Sequence, residues 1–244
     1  MSKTALKWDN VTYYYCKNKK VVNGISISVD CGEFVVLFGP NGSGKTTLLK
    51  LAVGLLKAKG GKIELFGDDI KKIPNNILPQ LVSYIPQVLK IGKDMPILVK
   101  DVIDIGYYSK NGWRNKDKIK RDEETYLSAR KLNIEHLINK PIGEISGGEA
   151  RKVQLARILS QRAQIMILDE PTAHLDIASK RDFYNELKAL FSKYITTIIL
   201  VVHSLEDIPE FSKRMIYLEK GRVTLDDIRE EVIVKINLNS GIKY

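Results

Sequence analysis

The chain has 244 residues, 44% of them hydrophobic and 28% charged, a balance that excludes a disordered or low-complexity protein. Its formal net charge of +10 suits an anionic partner (nucleotide, nucleic acid or lipid headgroup), although the lysines are scattered, with small clusters at Lys17–Lys20 and Lys110–Arg121. No apolar run approaches the roughly 20 residues of a membrane span, and Met1–Asn10 lacks a signal-peptide apolar region, so a cytosolic chain is expected.

Val11–Tyr15 carries a strand signal. So does Gly24–Val29, where apolar and polar residues alternate, and Lys17–Lys20 reads as the hairpin loop between them. Cys16 and Cys31 have no metal-ligand spacing and read as free thiols of a reducing compartment. Phe34–Phe38 is continuously apolar, as a fully buried strand requires. The stretch GPNGSGKTT, Gly39–Thr47, comes next, and Thr46–Val53 reads as a helix stopped by Gly54. Asp101–Tyr108 and Asp122–Leu132 read as helices. A further helix is expected from Ser146 through Arg162, with Val153, Ala156, Ile158 and Leu159 on its apolar side. Ile165–Leu168, Thr197–Val202 and Met215–Leu218 are buried-strand signals. REEVIVKINL, near the C-terminus, fits a last helix or an edge strand equally. The order implies a layered α/β core with a helical insertion at about residues 89–154.

Three stretches carry chemistry. GPNGSGKT matches G-x-x-x-x-G-K-[ST] between a strand and a helix, the setting that phosphate binding needs. Glycines let backbone N–H groups close around an anion, and the helix presents its positive end to it. Lys45 supplies a point charge to the β- and γ-phosphates, and Thr46 a hydroxyl for Mg²⁺. Asp169 and Glu170 stand at the end of the apolar run Ile165–Leu168, where strands of an open α/β sheet meet their ligand. Asp169 suits Mg²⁺ and Glu170 suits the polarisation of an attacking water. In ISGGEARK, Ser146 and Glu149 form a capping box, and Gly147 and Gly148 leave a bare helix start, a second anion site.

Together these stretches resemble the ATP-binding subunit of ABC transporters along essentially the whole chain. GPNGSGKTT is similar to Walker A, IMILDE to Walker B, and ISGGE to the signature LSGGQ, with Ile145 in place of Leu and Glu149 in place of Gln. The resemblance implies a single P-loop NTPase domain over residues 1–244. It has a RecA-like α/β core at 1–88 and 155–225, with an N-terminal antiparallel β subdomain. An α-helical subdomain at 89–154 and a short tail at 226–244 complete it.

The resemblance also assigns residues. The ATP set is Tyr15, Val22, Gly39, Pro40, Asn41, Gly42, Ser43, Gly44, Lys45, Thr46, Thr47 and Gln87. Tyr15 is the adenine-stacking ring, with Tyr13 and Tyr14 as alternatives. Gln87, at the Q-loop, joins Thr46 and Asp169 around Mg²⁺ and senses the membrane partner. Glu170, His203 and Lys45 form the catalytic set, His203 as the switch histidine at the γ-phosphate. Ser146, Gly147, Gly148 and Glu149 meet the ATP of a second subunit, and Asp176 lies in the D-loop, where His174 carries no special role. His136 matches nothing and is expected on the surface.

ATP and Mg²⁺ are thus the implied cofactors. The implied partners are a second copy or a paralogous ATPase, integral membrane permease subunits at the cytoplasmic face of the membrane, and a substrate-binding protein, with no nucleic acid. One cassette, no fused membrane domain and no long coiled coil fit an importer subunit. The alternative is a soluble ABC ATPase acting on nucleic acid or ribosomes. Pro96, Val99, Asp101, Val102 and Gly106 match a stretch common in importers of metal ions, iron chelates and cobalamin, with Tyr107 where Arg is usual. Trp113 is read as packing within its subdomain or as a partner-facing patch.

Overall fold

The computed structural model describes residues 4–16, 19–87, 96–112, 117–173, 175–193 and 196–240. Trp113, His174 and the first residues of the Lys17–Lys20 loop lie outside them. In chain order the elements are β1 (Thr4–Cys16), β2 (Lys19–Asp30), β3 (Phe34–Phe38), α1 (Lys45–Ala52), β4 (Gly60–Leu65), β5 (Asp68–Asp69), α2 (Leu78–Leu81) and β6 (Val82–Ile85). They continue with α3 (Val99–Asn111), α4 (Lys118–Arg130), α5 (Gly147–Gln161), β7 (Ile165–Asp169), α6 (Ile177–Lys193), β8 (Thr197–Val201), β9 (Arg214–Glu219), β10 (Arg222–Ile228) and α7 (Arg229–Ser240). The chain divides into two compact units. One comprises Met1–Ile73, Ile167–Glu170 and Ile195–Tyr244, the other Pro74–Met166 and Pro171–Tyr194. Among the described residues no helix is long and apolar enough to cross a membrane.

The first unit holds two sheets. An antiparallel sheet runs β2-β1-β4-β5. Burial alternates along β2, so Val22, Ile25, Ile27 and Val29 face the interior. β1 begins at Thr4 rather than Val11, because its register shifts between Trp8 and Val11 and Asn10 takes a positive φ of 49°. That irregularity breaks the period-2 pattern by which a strand is read. Lys19 and Lys20 are already in β2, opposite Cys16 and Tyr14, so the hairpin loop is shorter than expected. In the second sheet β3 lies between β8 and β9, parallel to both, and β10 runs antiparallel to β9. Every residue of β3 and of β8 is buried, as central parallel strands covered on both faces must be. β7 neighbours β8 and brings Ile167–Asp169 into this unit. The REEVIVKINL segment is helical: α7 buries Val232, and its Lys235 Nζ lies 2.9 Å from Asp227 Oδ2 at the end of β10.

The second unit is mainly helical. Val99, Val102, Ile103 and Tyr107 of α3 are buried, and α3 packs on α4 and α5. Gly106 sets the α3–α5 approach, since a Cβ there would stand 1.9 Å from Arg157 O. Asp101 Oδ2 accepts from Leu98 N at 2.9 Å and caps α3. Thr125 Oγ1 of α4 donates to Asp104 Oδ1 at 2.5 Å, and Arg121 Nη1 to Tyr108 OH at 2.6 Å. Of the residues that match the importer stretch, Val99, Asp101, Val102 and Gly106 thus cap and pack α3. The strands β4 and β6 and the helix α6 carried no expectation above.

Gly106→Ala is expected to destabilise the chain by roughly 1–3 kcal/mol, because backbone on both sides leaves the methyl nowhere to relax. Urea unfolding with an unchanged midpoint would show that the two helices are free to part.

Candidate active site

β3 ends at Phe38 and hands the chain to the glycine loop. The loop's backbone is pressed between two neighbours. A Cβ on Gly39 would stand 2.1 Å from Leu218 O of β9, and one on Gly44 2.5 Å from Val21 O of β2. Gly44 also takes φ 105°, in the left-handed region. From the β9–β10 turn, Gly221 N donates to Ser43 O at 3.0 Å, and Asn23 N of β2 donates to Gly221 O at 2.8 Å. Pro40, Asn41 and Gly42 form the exposed tip. The opening N–H groups of α1 lack intrahelical partners, as at any helix start, and carry the positive end of the helix dipole. Ser43 Oγ is buried with no hydrogen-bond partner among the described residues, a donor suited to an anion in the loop.

Four of the assigned residues, Lys45, Thr46, Asp169 and Glu170, come together here within the first unit. Lys45 is 5% exposed, and its Nζ donates to Gly39 O at 2.7 Å and Pro40 O at 3.1 Å. Burial lowers its pKa, opposed by the charges of Glu170 and Asp169. Thr46 Oγ1 donates to Asp169 Oδ1 at 3.1 Å, and Asp169 is fully buried. Glu170 follows, with φ 47° and its N–H donated to Val201 O at 3.1 Å, which fixes it beside the end of β8. His203 lies two residues beyond that strand, with Nδ1 3.5 Å from Asp207 Oδ2. Asp207 was not anticipated; an acid four residues after a histidine on a tight turn was the available signal.

The tyrosines separate by exposure. Tyr13 is buried at 8%, whereas Tyr15 is 60% exposed, and the two rings meet edge to face at 5.0 Å. Tyr15 OH lies 3.3 Å from Thr47 Oγ1, so this ring stands beside the phosphate loop. Val22, also of the sequence-assigned set, is buried, its Cγ2 3.7 Å from the place of the Cβ that Gly44 lacks.

The remaining assigned residues belong to the second unit. Ser146 is the N-cap of α5 and Glu149 closes a capping box. Ser146 N and Oγ each donate to Glu149 Oε2 at 2.8 Å, which holds the Glu149 carboxyl below its ordinary pKa. Asp176 caps α6, accepting from Ser179 Oγ at 2.6 Å and Ser179 N at 2.9 Å, and these bonds lower its pKa. A Cβ on Gly148 would stand 3.1 Å from Ser179 Oγ, so the two caps pack on one another. Gln87 is half-buried at the end of β6, its carbonyl bonded by Arg151. His136 is exposed.

Among the described residues no cluster of three or more His, Cys, Asp or Glu suits a metal ion. The Thr46 hydroxyl and the Asp169 carboxylate are hard oxygen donors, and Mg²⁺ takes few protein ligands beside phosphate oxygens and water. This donor set fits Mg²⁺ bound together with a nucleotide, and not a metal held by protein alone.

The family model described as ABC transporter matches residues 22–173. The petrobactin import ATP-binding protein FpuC of Bacillus anthracis is 32% identical over 225 residues, 92% of this chain and 82% of that protein. The zinc uptake system ATP-binding protein ZurA of Listeria monocytogenes is 33% identical over 233 residues, 94% and 88% of the two chains. A solved nucleotide-free ATP-binding cassette from an ABC transporter superposes with a TM-score of 0.86, covering 99% of this chain and 100% of that one at 24% identity, which shows a common fold.

Removal of the Lys45 ammonium by Lys45→Ala is expected to weaken ATP binding about tenfold to a hundredfold, the worth of one charge-assisted contact. Calorimetric titration with unchanged affinity would take the phosphates away from this loop.

Proposed function

The chain belongs to the ABC transporter family, and we propose that it serves there as the ATP-hydrolysing subunit of an importer of a metal ion or metal chelate. The observation that carries the chemistry is the Thr46–Asp169 contact at 3.1 Å, with Lys45 feeling the charges of Asp169 and Glu170. It gathers phosphate cradle, metal-binding oxygens and a candidate base within one unit. The importer reading is supported by relatives named for petrobactin import and zinc uptake.

In the proposed cycle the adenine lies against Tyr15, with Val22 at its side. The triphosphate lies in Gly39–Thr47, where Ser43 Oγ and Lys45 meet its oxygens. Thr46 and Asp169 would hold Mg²⁺, which would supply positive charge against the β- and γ-phosphates. Glu170 draws a proton from the attacking water as its oxygen bonds to the γ-phosphorus. The bridge to the β-phosphate then breaks, and ADP leaves with phosphate. His203 donates to the γ-phosphate. Ser146, Gly147, Gly148 and Glu149 of a second copy or a paralogous ATPase cover the same nucleotide, with Asp176 at that seam. Permease subunits at the cytoplasmic face of the membrane take up the motion, and a substrate-binding protein delivers the cargo.

Glu170→Gln is expected to bind ATP normally, to turn over roughly a hundredfold or more slowly, and to accumulate as an ATP-bound dimer in light scattering. Rapid turnover by that variant removes Glu170 from the catalytic role. Mixed dimers of Lys45→Ala and Ser146→Ala chains are expected to recover one competent site, and no recovery contradicts the shared arrangement. Glu170→Gln with ATP, used as bait on native membranes, is expected to retain polytopic membrane proteins. Retention of ribosomes or DNA-repair proteins instead would keep the ATPase and remove the transport reading.

A further inference from the structure

One face of α5 is lined with long polar side chains whose tips are buried. Arg151, Gln154 and Gln161 are 7%, 4% and 3% exposed. Three of the side chains on α5 reach backbone carbonyls of the segment that leads to Gln87, all within the second unit. Gln161 Nε2 donates to Pro79 O at 2.5 Å and Val82 O at 3.3 Å. Arg157 Nη2 donates to Tyr84 O at 2.7 Å, while its Nε donates to Gln154 Oε1 at 3.0 Å. Arg151 Nη1 and Nη2 donate to Pro86 O at 3.3 Å and Gln87 O at 2.7 Å. Segment and helix therefore run in opposite directions, and Gln87 is tied to the second turn of α5, at Arg151, two residues from Glu149.

The two arginines are poorly placed for stability. Among the described residues neither has a carboxylate within ion-pair reach. Burial lowers both pKa values, that of Arg157 to about 10. A guanidinium desolvated among neutral carbonyls is a costly way to join two elements. What it offers is geometry: a planar fork grips two successive carbonyls at once, which a lysine ammonium on a flexible stem does not do.

We infer that Arg151 is a positioning residue that makes the Ser146–Glu149 turn and Gln87 move as one body, so that the signature turn engages only when Gln87 is correctly placed. The inference rests on the reading above, in which Gln87 senses metal and membrane partner and the turn covers the nucleotide of a second copy. Its own content, a mechanical tie inside one unit, is separable from that reading.

The experiment uses the full chain with Arg151→Lys and Arg151→Met, the first as the milder change should the second fold poorly. Hydrogen exchange is read at the peptides around Gln87 and around Ser146–Glu149, with melting temperature, ATP affinity, kcat and KM alongside. Both peptides are expected to exchange roughly two- to thirtyfold faster in either variant, the range of a coupling network. kcat is expected to fall by a similar factor, with ATP affinity within about twofold of the parent. Faster exchange at one peptide only, or no change at either, overturns the tie. A fall in melting temperature and ATP affinity that accounts for the whole loss of kcat assigns Arg151 a merely structural role and overturns it equally. Glu170→Gln in the Arg151 parent is the separate control: if it forms no ATP-bound dimer the functional reading fails, while the exchange result still decides the tie.

Discussion

Backbone pressed against backbone fixes the phosphate loop. At Gly39 and Gly44 the carbonyls of Leu218 and Val21 occupy the space a side chain would need. The loop therefore takes its shape from strands far away in sequence: β2, which the antiparallel sheet orders, and β9, which β3 and β10 hold on either side. Everything else at the site follows from that clamp. α1 starts where the loop releases it, so Lys45 and Thr46 point back toward the anion position. Thr46 then finds Asp169, which β7 delivers from the neighbouring β8.

The parts of this arrangement that lie within a short stretch were legible in the sequence. Five buried residues, a glycine loop and a helix start are contiguous, and so are Ile165–Leu168 and the two acids that follow. The capping box of Ser146 and Glu149 was legible for the same reason, since its partners are three residues apart. What stayed hidden depends on pairing across distance. Asn10 and its register shift disguise the first half of β1. β6 is four residues long, too short for periodicity to mark it. Arg151 reads as one more surface cation until the carbonyls of Pro86 and Gln87 are seen around it. The tyrosine ambiguity was one of facing, which alternation alone left open: Tyr13 is buried, Tyr14 half-buried and Tyr15 exposed beside the phosphate loop.

Charge is used differently in the two units. Around the phosphate loop the buried Lys45 ammonium has two acids nearby, so opposite charges offset its desolvation. Along α5, among the described residues, the guanidinium groups of Arg151 and Arg157 have neutral amide oxygens, those of the backbone and of the Gln154 side chain. The first pattern suits a place where charge must be gained and lost as a nucleotide comes and goes. The second suits a joint whose geometry matters more than its strength.

In the proposed pair, Glu149 would give the seam an electrical character that a glutamine there would not. Its carboxylate, kept ionised by both donors of Ser146, would face a triphosphate across the seam, and two-fold symmetry repeats the opposition at the other nucleotide. Like charges about 4 Å apart repel by roughly 1–4 kcal/mol between bulk water and a protein surface. In the proposed pair, closure would work against this repulsion, and the other contacts of the nucleotide would have to outweigh it. Added salt, which weakens most protein associations built on charge, would screen this repulsion and favour the shut form.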